Sequence, residues 1–155
     1  DLNHLIEEVV SSLRPQKLFK DLDLKIVGVN EDLSVTADAD QFRQVMINLL
    51  LNAAQALQGR GRLEVTLSRV SGSARIHVDD SGPGISLEDQ ERVFQPFFST
   101  KAHGEGTGLG LPLCRKLVEG QDGEISIQKS LLGGARLTVS LPLSEELSSR
   151  VIFPL

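Results

Sequence analysis

The sequence predicts an α/β domain, and three patterns carry that prediction. A capped amphipathic helix covers 38–57, alternating segments within 63–78 and 124–141 pair as hairpins of a sheet, and a glycine-rich polar stretch ends where another apolar helical stripe begins. At 155 residues the chain is one domain by the usual range of about 100–200. A chain of this size buries roughly 70% of its unfolded surface, enough for a single core without staples.

Taken in order, Leu5, Ile6, Val9, Val10, Leu13 and Leu18 form a helical stripe that Pro15 interrupts. Leu22, Leu24, Ile26 and Val29 predict a strand, and 33–36 a second, short one. Asp38 opens the long helix, with Gln41 three residues on to complete a capping box. Its buried face is Phe42, Val45, Met46, Leu49, Leu50, Ala53 and Leu57, and Gly59 with Gly61 stops it. Leu63, Val65 and Leu67 alternate with polar residues, turn at Ser71-Gly72-Ser73, and return through Ala74, Ile76 and Val78. Ser86, with Asp89 three residues later, starts a short helix ending near Phe94. Residues 95–108 are polar, aperiodic and long for a connection, which predicts a functional lid. Leu111, Leu113, Cys114, Leu117 and Val118 mark a helix that tolerates Pro112 in its first turn. Segments 124–128 and 135–141 close the domain as a hairpin. Residues 1–143 are expected to form the domain and 144–155 a tail of unknown role.

Composition excludes several classes. With 40% apolar and 24% charged residues the chain is expected to be an ordinary globule; no apolar run approaches the roughly 18 residues of a membrane span, and its first residues lack the charged-then-apolar pattern of a leader. It starts at Asp1, which predicts a piece of a larger protein. One cysteine allows no intramolecular disulfide and fits a reducing, cytoplasmic setting. A net charge of −5, with no Trp or Tyr to stack on bases, argues against nucleic acid.

Three constellations carry chemistry. Gln44, Asn48, Asn52 and Gln55 form one stripe on the polar face of the 38–57 helix. Solvated helix faces favour Lys, Glu and Arg over Asn. Two neutral carbonyl oxygens one turn apart suit a hard cation such as Mg²⁺, which takes few protein ligands and fills its shell with water and phosphate oxygens. An amide-rich surface stripe without a ligand is the plain alternative. Asp80 shares a face with Ala74, Ile76 and Val78, so its carboxylate is expected on the buried side, where it needs a donor. Gly82 and Gly84 follow at once and make room for a flat ligand. A carboxylate accepting from an exocyclic amine beside those glycines describes an adenine pocket; a simple turn is the alternative. Third, Gly104, Gly106, Gly108 and Gly110 alternate into a helix start, an arrangement that binds phosphate through backbone amides. A Rossmann turn would need a strand directly before it, and a P-loop a Lys-Ser or Lys-Thr where Leu111-Pro112 stands.

Together these sites resemble the catalytic, ATP-binding domain of sensor histidine kinases, in the GHKL (Bergerat-fold) superfamily. Asn48-Leu49-Leu50-Leu51-Asn52-Ala53 resembles the N box, Asp80-Ser81-Gly82-Pro83-Gly84-Ile85 the first glycine box, and Phe94-Gln95-Pro96-Phe97-Phe98-Ser99-Thr100-Lys101 the F box. Residues 104–111 resemble the second glycine box, and Gly133-Gly134-Ala135-Arg136-Leu137 more loosely the last. The resemblance implies a two-layer α/β sandwich, a mixed and mostly antiparallel sheet packed on about three helices, with a mobile ATP lid. It implies Asn48 on Mg²⁺, Asn52 on metal or phosphate, and Asp80 accepting from adenine N6. Gly82, Gly84 and Ile85 would line the base pocket. Gly106, Thr107, Gly108, Leu109 and Gly110 would meet the phosphates. Phe94, Phe97 and Phe98 would anchor the lid, and Lys101 would reach the terminal phosphate or stay solvated. No contact is assigned to the last box, which departs from the G-x-G arrangement.

The reaction implied is transfer of the ATP γ-phosphoryl group to a histidine on a separate dimerisation domain, and onward indirectly to a response regulator. Such transfer is mostly positioning and charge neutralisation. His4, His77 and His103 lack the setting of the family acceptor, so the chain, expected to be monomeric, should bind nucleotide without phosphorylating itself. It should not touch a membrane, although a parent anchored in one is compatible. A Bergerat-fold ATPase is the first rival, disfavoured because Gln44 stands where those relatives carry a water-activating glutamate. An anti-sigma-type serine kinase or nucleotide switch is the second.

Overall fold

The computed structural model describes residues 1–28, 32–95 and 110–144. Helix α1 (Leu2–Leu13) opens on Asp1, whose side chain accepts from the Asn3 amide. It ends before Pro15, which has no N–H to continue the ladder, and Leu18 of the expected stripe therefore lies past its end. Strand β1 (Leu22–Val27) follows. The short strand expected at 33–36 reduces to one bridge, Val35 to Leu143, although Leu33 is buried.

Helix α2 (Ala39–Ala56) is capped by Asp38, which accepts from the amides of Asp40 and Gln41 at 2.9 and 3.1 Å. The reciprocal half of the capping box is made from elsewhere. The Asp38 amide donates to Gln121 Oε1 at 3.0 Å, so the start of α2 is tied to the turn after the last helix rather than to Gln41. Asp38→Ala is accordingly expected to cost about 1 kcal/mol of stability, seen as a lower urea midpoint at unchanged m-value. All seven residues expected on the buried face of α2 are buried. Gln58 and Gly59, with φ of 53° and 80°, take the chain out of the helix.

Strands β2 (Gly61–Val70) and β3 (Ser73–Asp80) form the expected hairpin. Its two-residue turn has positive φ at both Ser71 and Gly72, the twist that suits a tight hairpin. Helix α3 (Leu87–Arg92) is capped by Ser86, and α4 (Gly110–Glu119) carries Pro112 in its first turn. Leu113, counted in the α4 stripe, is 39% exposed; Cys114 and Val118 are the buried positions. Strands β4 (Glu124–Lys129) and β5 (Ala135–Pro142) complete a sheet ordered β1-β2-β3-β5-β4. Among these strands β1 and β2 pair in parallel, and the other neighbours are antiparallel.

Alternation then divides the sheet. Leu63, Val65, Leu67, Ala74, Ile76, Val78, Leu137, Val139 and Leu141 join one core with the apolar faces of α1, α2 and α4. The other face carries Glu64, Thr66, Arg75, His77, Asp79, Arg136 and Thr138 and has no covering layer among the described residues. This is the expected two-layer sandwich, with α1, α2 and α4 packed on one side of the sheet.

Candidate functional site

Helix α2 sorts its own amide stripe by depth. Gln44 and Gln55 are exposed, while Asn48 and Asn52, one turn apart, are half-buried. Asn48 joins Asp40, Arg43, Gln44 and Ile47 along an open cavity of about 270 Å³. Arg43 is drawn to Asp40 at 3.0 Å and Glu8 at 3.3 Å at its rim. Behind Asn48 lies Cys114 of α4, whose Sγ donates to the Val45 carbonyl at 3.7 Å. Burial pushes its thiol pKa up to about 11, against a smaller opposing pull from a hydrogen bond with Asn48. It is a packed thiol, not a reactive one.

Asp80 sits at the core-facing end of β3, 6% exposed, as its alternation predicts. Its Oδ1 accepts from the amides of Gly82 at 2.9 Å and Ala135 at 3.3 Å. Burial is the main influence on the carboxyl and raises its pKa; the two amides work in the opposite direction. The carboxylate that shapes the turn is also held in place by it. A Cβ on Gly82 would stand 3.0 Å from Asp80 Oδ1 and 3.5 Å from the Ala56 carbonyl, so this turn lies against the C-terminal end of α2. Gly84 has φ of 77°. Along α2, Asn48 is eight residues from Ala56, about 12 Å at 1.5 Å per residue. The buried carboxylate and the half-buried amides thus mark two ends of one side of the helix.

The loop between β4 and β5 is the part that the sequence does not disclose. The Gly134 amide donates to the Asp80 carbonyl at 3.0 Å, and Ala135 supplies the second donor to its carboxylate. A Cβ on Gly134 would stand 2.5 Å from that carbonyl and 2.7 Å from the Gly82 nitrogen, closer than any side chain can sit. The last glycine box, to which the sequence assigns no contact, is built into the Asp80 site. Its signal is the pair Gly133-Gly134 directly before a strand. Asp79, which sequence reasoning also passes over, is 4% exposed on the opposite face of the sheet. It accepts from Arg136 Nε at 2.8 Å and Ser130 Oγ at 2.7 Å. Nearby, His77 Nδ1 lies 2.8 Å from Thr138 Oγ1, and burial first, then Arg136, lowers its pKa, so it is neutral at pH 7.

Phe94 packs on the core beneath Arg115, whose guanidinium carbon is 5.5 Å from the ring centroid. Gln90 of α3 donates to the Ile85 carbonyl at 3.1 Å, fixing the segment between the first glycine box and Phe94. Gly110 opens α4, and a Cβ added there would meet nothing within 4 Å among the described residues. Phe97, Phe98, Lys101, Gly104, Gly106, Thr107, Gly108 and Leu109 lie outside the described residues. Among the described residues no group of three or more His, Cys, Asp and Glu could hold a metal ion, and no helix is long and apolar enough to cross a membrane.

Comparison with known proteins agrees with this fold. Residues 37–145 match the family described as histidine kinase-, DNA gyrase B- and HSP90-like ATPase. Sensor histidine kinase ZraS of Escherichia coli O157:H7 is 37% identical over 144 residues, 93% of this chain, and the chain spans 31% of that protein. Among solved structures, the catalytic domain of histidine kinase ThkA superposes with a TM-score of 0.82 at 36% identity, covering 92% of both chains. ThkA in complex with the response regulator protein TrrA matches at a TM-score of 0.80 and 33% identity, over 94% of this chain and 41% of that one. The chain belongs to the histidine kinase-, DNA gyrase B- and HSP90-like ATPase family and is homologous to the catalytic domains of sensor histidine kinases.

Proposed function

We propose that residues 1–143 bind ATP with Mg²⁺ and transfer its γ-phosphoryl group to a histidine on a separate dimerisation domain of the parent protein. The observation that carries this reading is Asp80: a buried carboxylate held on one oxygen by two backbone amides, with Gly82 and Gly134 packed directly against it. Both hydrogen bonds fall on Oδ1, which leaves Oδ2 to accept from the exocyclic amine of adenine. Gly82, Gly84 and Ile85 line the base. At the other end, Asn48 and Asn52 offer hard, neutral oxygens that carry no charge of their own, a donor set that fits Mg²⁺ only when phosphate oxygens complete its shell. Bound there, the ion neutralises charge on the phosphates. We assign the phosphate contacts to Gly106, Thr107, Gly108, Leu109 and Gly110, the terminal phosphate to Lys101, and the anchoring of the lid to Phe94 with Phe97 and Phe98.

In the transfer the bond from γ-phosphorus to the bridging oxygen breaks, ADP leaves, and a phosphorus–nitrogen bond forms to the acceptor imidazole. Gln44 has no basicity with which to activate water, which favours transfer over hydrolysis. The partners are then the dimerisation domain and, through it, a response regulator, with the domain monomeric in the cytoplasm. The test incubates the chain with γ-labelled ATP and Mg²⁺, with and without the separately supplied dimerisation domain. Acid-labile label on that domain is the expected result, and phosphate release without it would favour an ATPase. Asn48→Ala is expected to weaken Mg²⁺-dependent nucleotide affinity about tenfold; unchanged affinity would remove Asn48 from the metal.

A further inference from the structure

Asp79 is a nearly buried carboxylate on the face of the sheet opposite to the site, and the proposed reaction gives it no task. Its contacts lead back to the site by a short path. Ser130 Oγ donates to Asp79 Oδ1 and accepts from the Leu132 amide at 3.1 Å. The Ser130 amide donates to the Gly134 carbonyl at 2.7 Å, and its carbonyl accepts from Gly133 at 3.1 Å, so Ser130 closes the β4–β5 loop on itself. The far side of that loop supplies the Gly134 and Ala135 amides that grip Asp80. Arg136, paired in register with Asp79, adds its Nε to the same oxygen and fixes β5 against β3. Adjacent residues of one strand thus hold the two ends of one loop, and the fit at Gly134 leaves the loop no slack.

We infer that Asp79, Ser130 and Arg136 are positioning residues that set the Asp80 carboxylate for recognition of the purine 6-position, without touching the nucleotide. The inference rests on the adenine-binding reading of Asp80. When the Ser130 bond is lost, the loop loosens, the Ala135 donor retreats, and Oδ2 is no longer held at one angle. The energetic cost falls on discrimination: a fixed carboxylate accepts from the 6-amino group of adenine and repels the 6-oxo group of hypoxanthine, whereas a loose one does neither well.

The experiment compares ADP and IDP affinities by calorimetry for the wild-type chain, Ser130→Ala, Ser130→Thr and Asp79→Asn, with thermal midpoints alongside. Wild type should prefer ADP, Ser130→Ala and Asp79→Asn should narrow that preference about fivefold, the worth of one hydrogen bond, and Ser130→Thr should restore it. A lower midpoint with the ADP-to-IDP ratio intact would reduce these residues to a structural role and overturn the inference. A wild-type protein that binds both nucleotides equally would bring down the reading of Asp80 itself, and the inference with it. Should Asp79→Asn fail to fold, Ser130→Ala and its threonine rescue decide the matter.

Discussion

Asp80→Asn is expected to lower ADP affinity about a hundredfold while raising the thermal midpoint of the nucleotide-free protein at pH 7. The loss follows from replacing a charged acceptor by an amide that turns a donor toward the adenine amine; a hydrogen bond to a charged group and an unpaired donor together reach that size. The gain follows from burial. Desolvation raises the Asp80 carboxyl pKa above its ordinary value, so the folded state binds its proton more tightly than the unfolded chain does. A raised folded pKa favours folding fully below the unfolded value, and that contribution is lost as pH rises through the folded pKa. Asparagine keeps the oxygen that Gly82 and Ala135 hydrogen-bond and carries no charge to desolvate. The stabilisation by Asp80→Asn should therefore be present at pH 7 and fade as pH is lowered toward the ordinary aspartate range. ADP affinity of the wild type should fall over the same acid interval, because a proton on Oδ2 turns the oxygen proposed to accept from adenine into a donor. Calorimetric titration and thermal melts across that interval decide both parts. An apo midpoint that drops in the variant would mean that Asp80 is structural rather than held in place for a ligand. A site that costs stability when empty is a common trade for function.

The parts of this fold that are legible in the sequence are those fixed by local period. Seven apolar positions at helical spacing name the buried face of α2, and period-two alternation names β2, β3 and β5 before any pairing is known. Asp80 belongs with them, since counting by two from Ala74 puts its carboxylate inside. What the sequence does not show is settled by tertiary pairing. Gln41 has the correct spacing for a capping box, yet the amide it would serve is taken by Gln121, eighty-three positions from Asp38. Leu113 fits an apolar stripe that the packing of α4 leaves half outside. The parallel pairing of β1 with β2 has no local signature, because both strands alternate whichever way they run. Gly134 is the sharpest case: its role depends on β5 lying beside β3, which brings a loop fifty-four residues away onto the Asp80 carbonyl.

The same loop gives the strongest test of how tightly the site is built. Gly134→Ala is expected to destabilise the protein by about 3 kcal/mol and to abolish measurable ADP binding. Of the atoms that the new methyl would meet, the Asp80 carbonyl at 2.5 Å and the Gly82 nitrogen at 2.7 Å are backbone and have no rotamer by which to move away. The third, Asp80 Oδ1, is closer still and is pinned by two amides. The loop must back out, which sacrifices the Gly134 and Ala135 hydrogen bonds, each worth about 1 kcal/mol, and adds the strain of an overpacked contact, about 1–3 kcal/mol. Gly110→Ala is the matched control. It begins a helix, and among the described residues nothing lies within 4 Å of an added Cβ, so removing a glycine there should leave stability unchanged or raise it by about 0.5 kcal/mol through the unfolded chain. Urea unfolding of the two variants separates a requirement for glycine from a mere preference: equal midpoints would show that the β4–β5 loop yields freely, and the grip on Asp80 would then be too weak to orient a carboxylate. A midpoint lowered only in Gly134→Ala would place the constraint at a glycine where an added methyl meets two backbone atoms within 3 Å, and would tie the stability of β5 to the carboxylate proposed to accept from adenine.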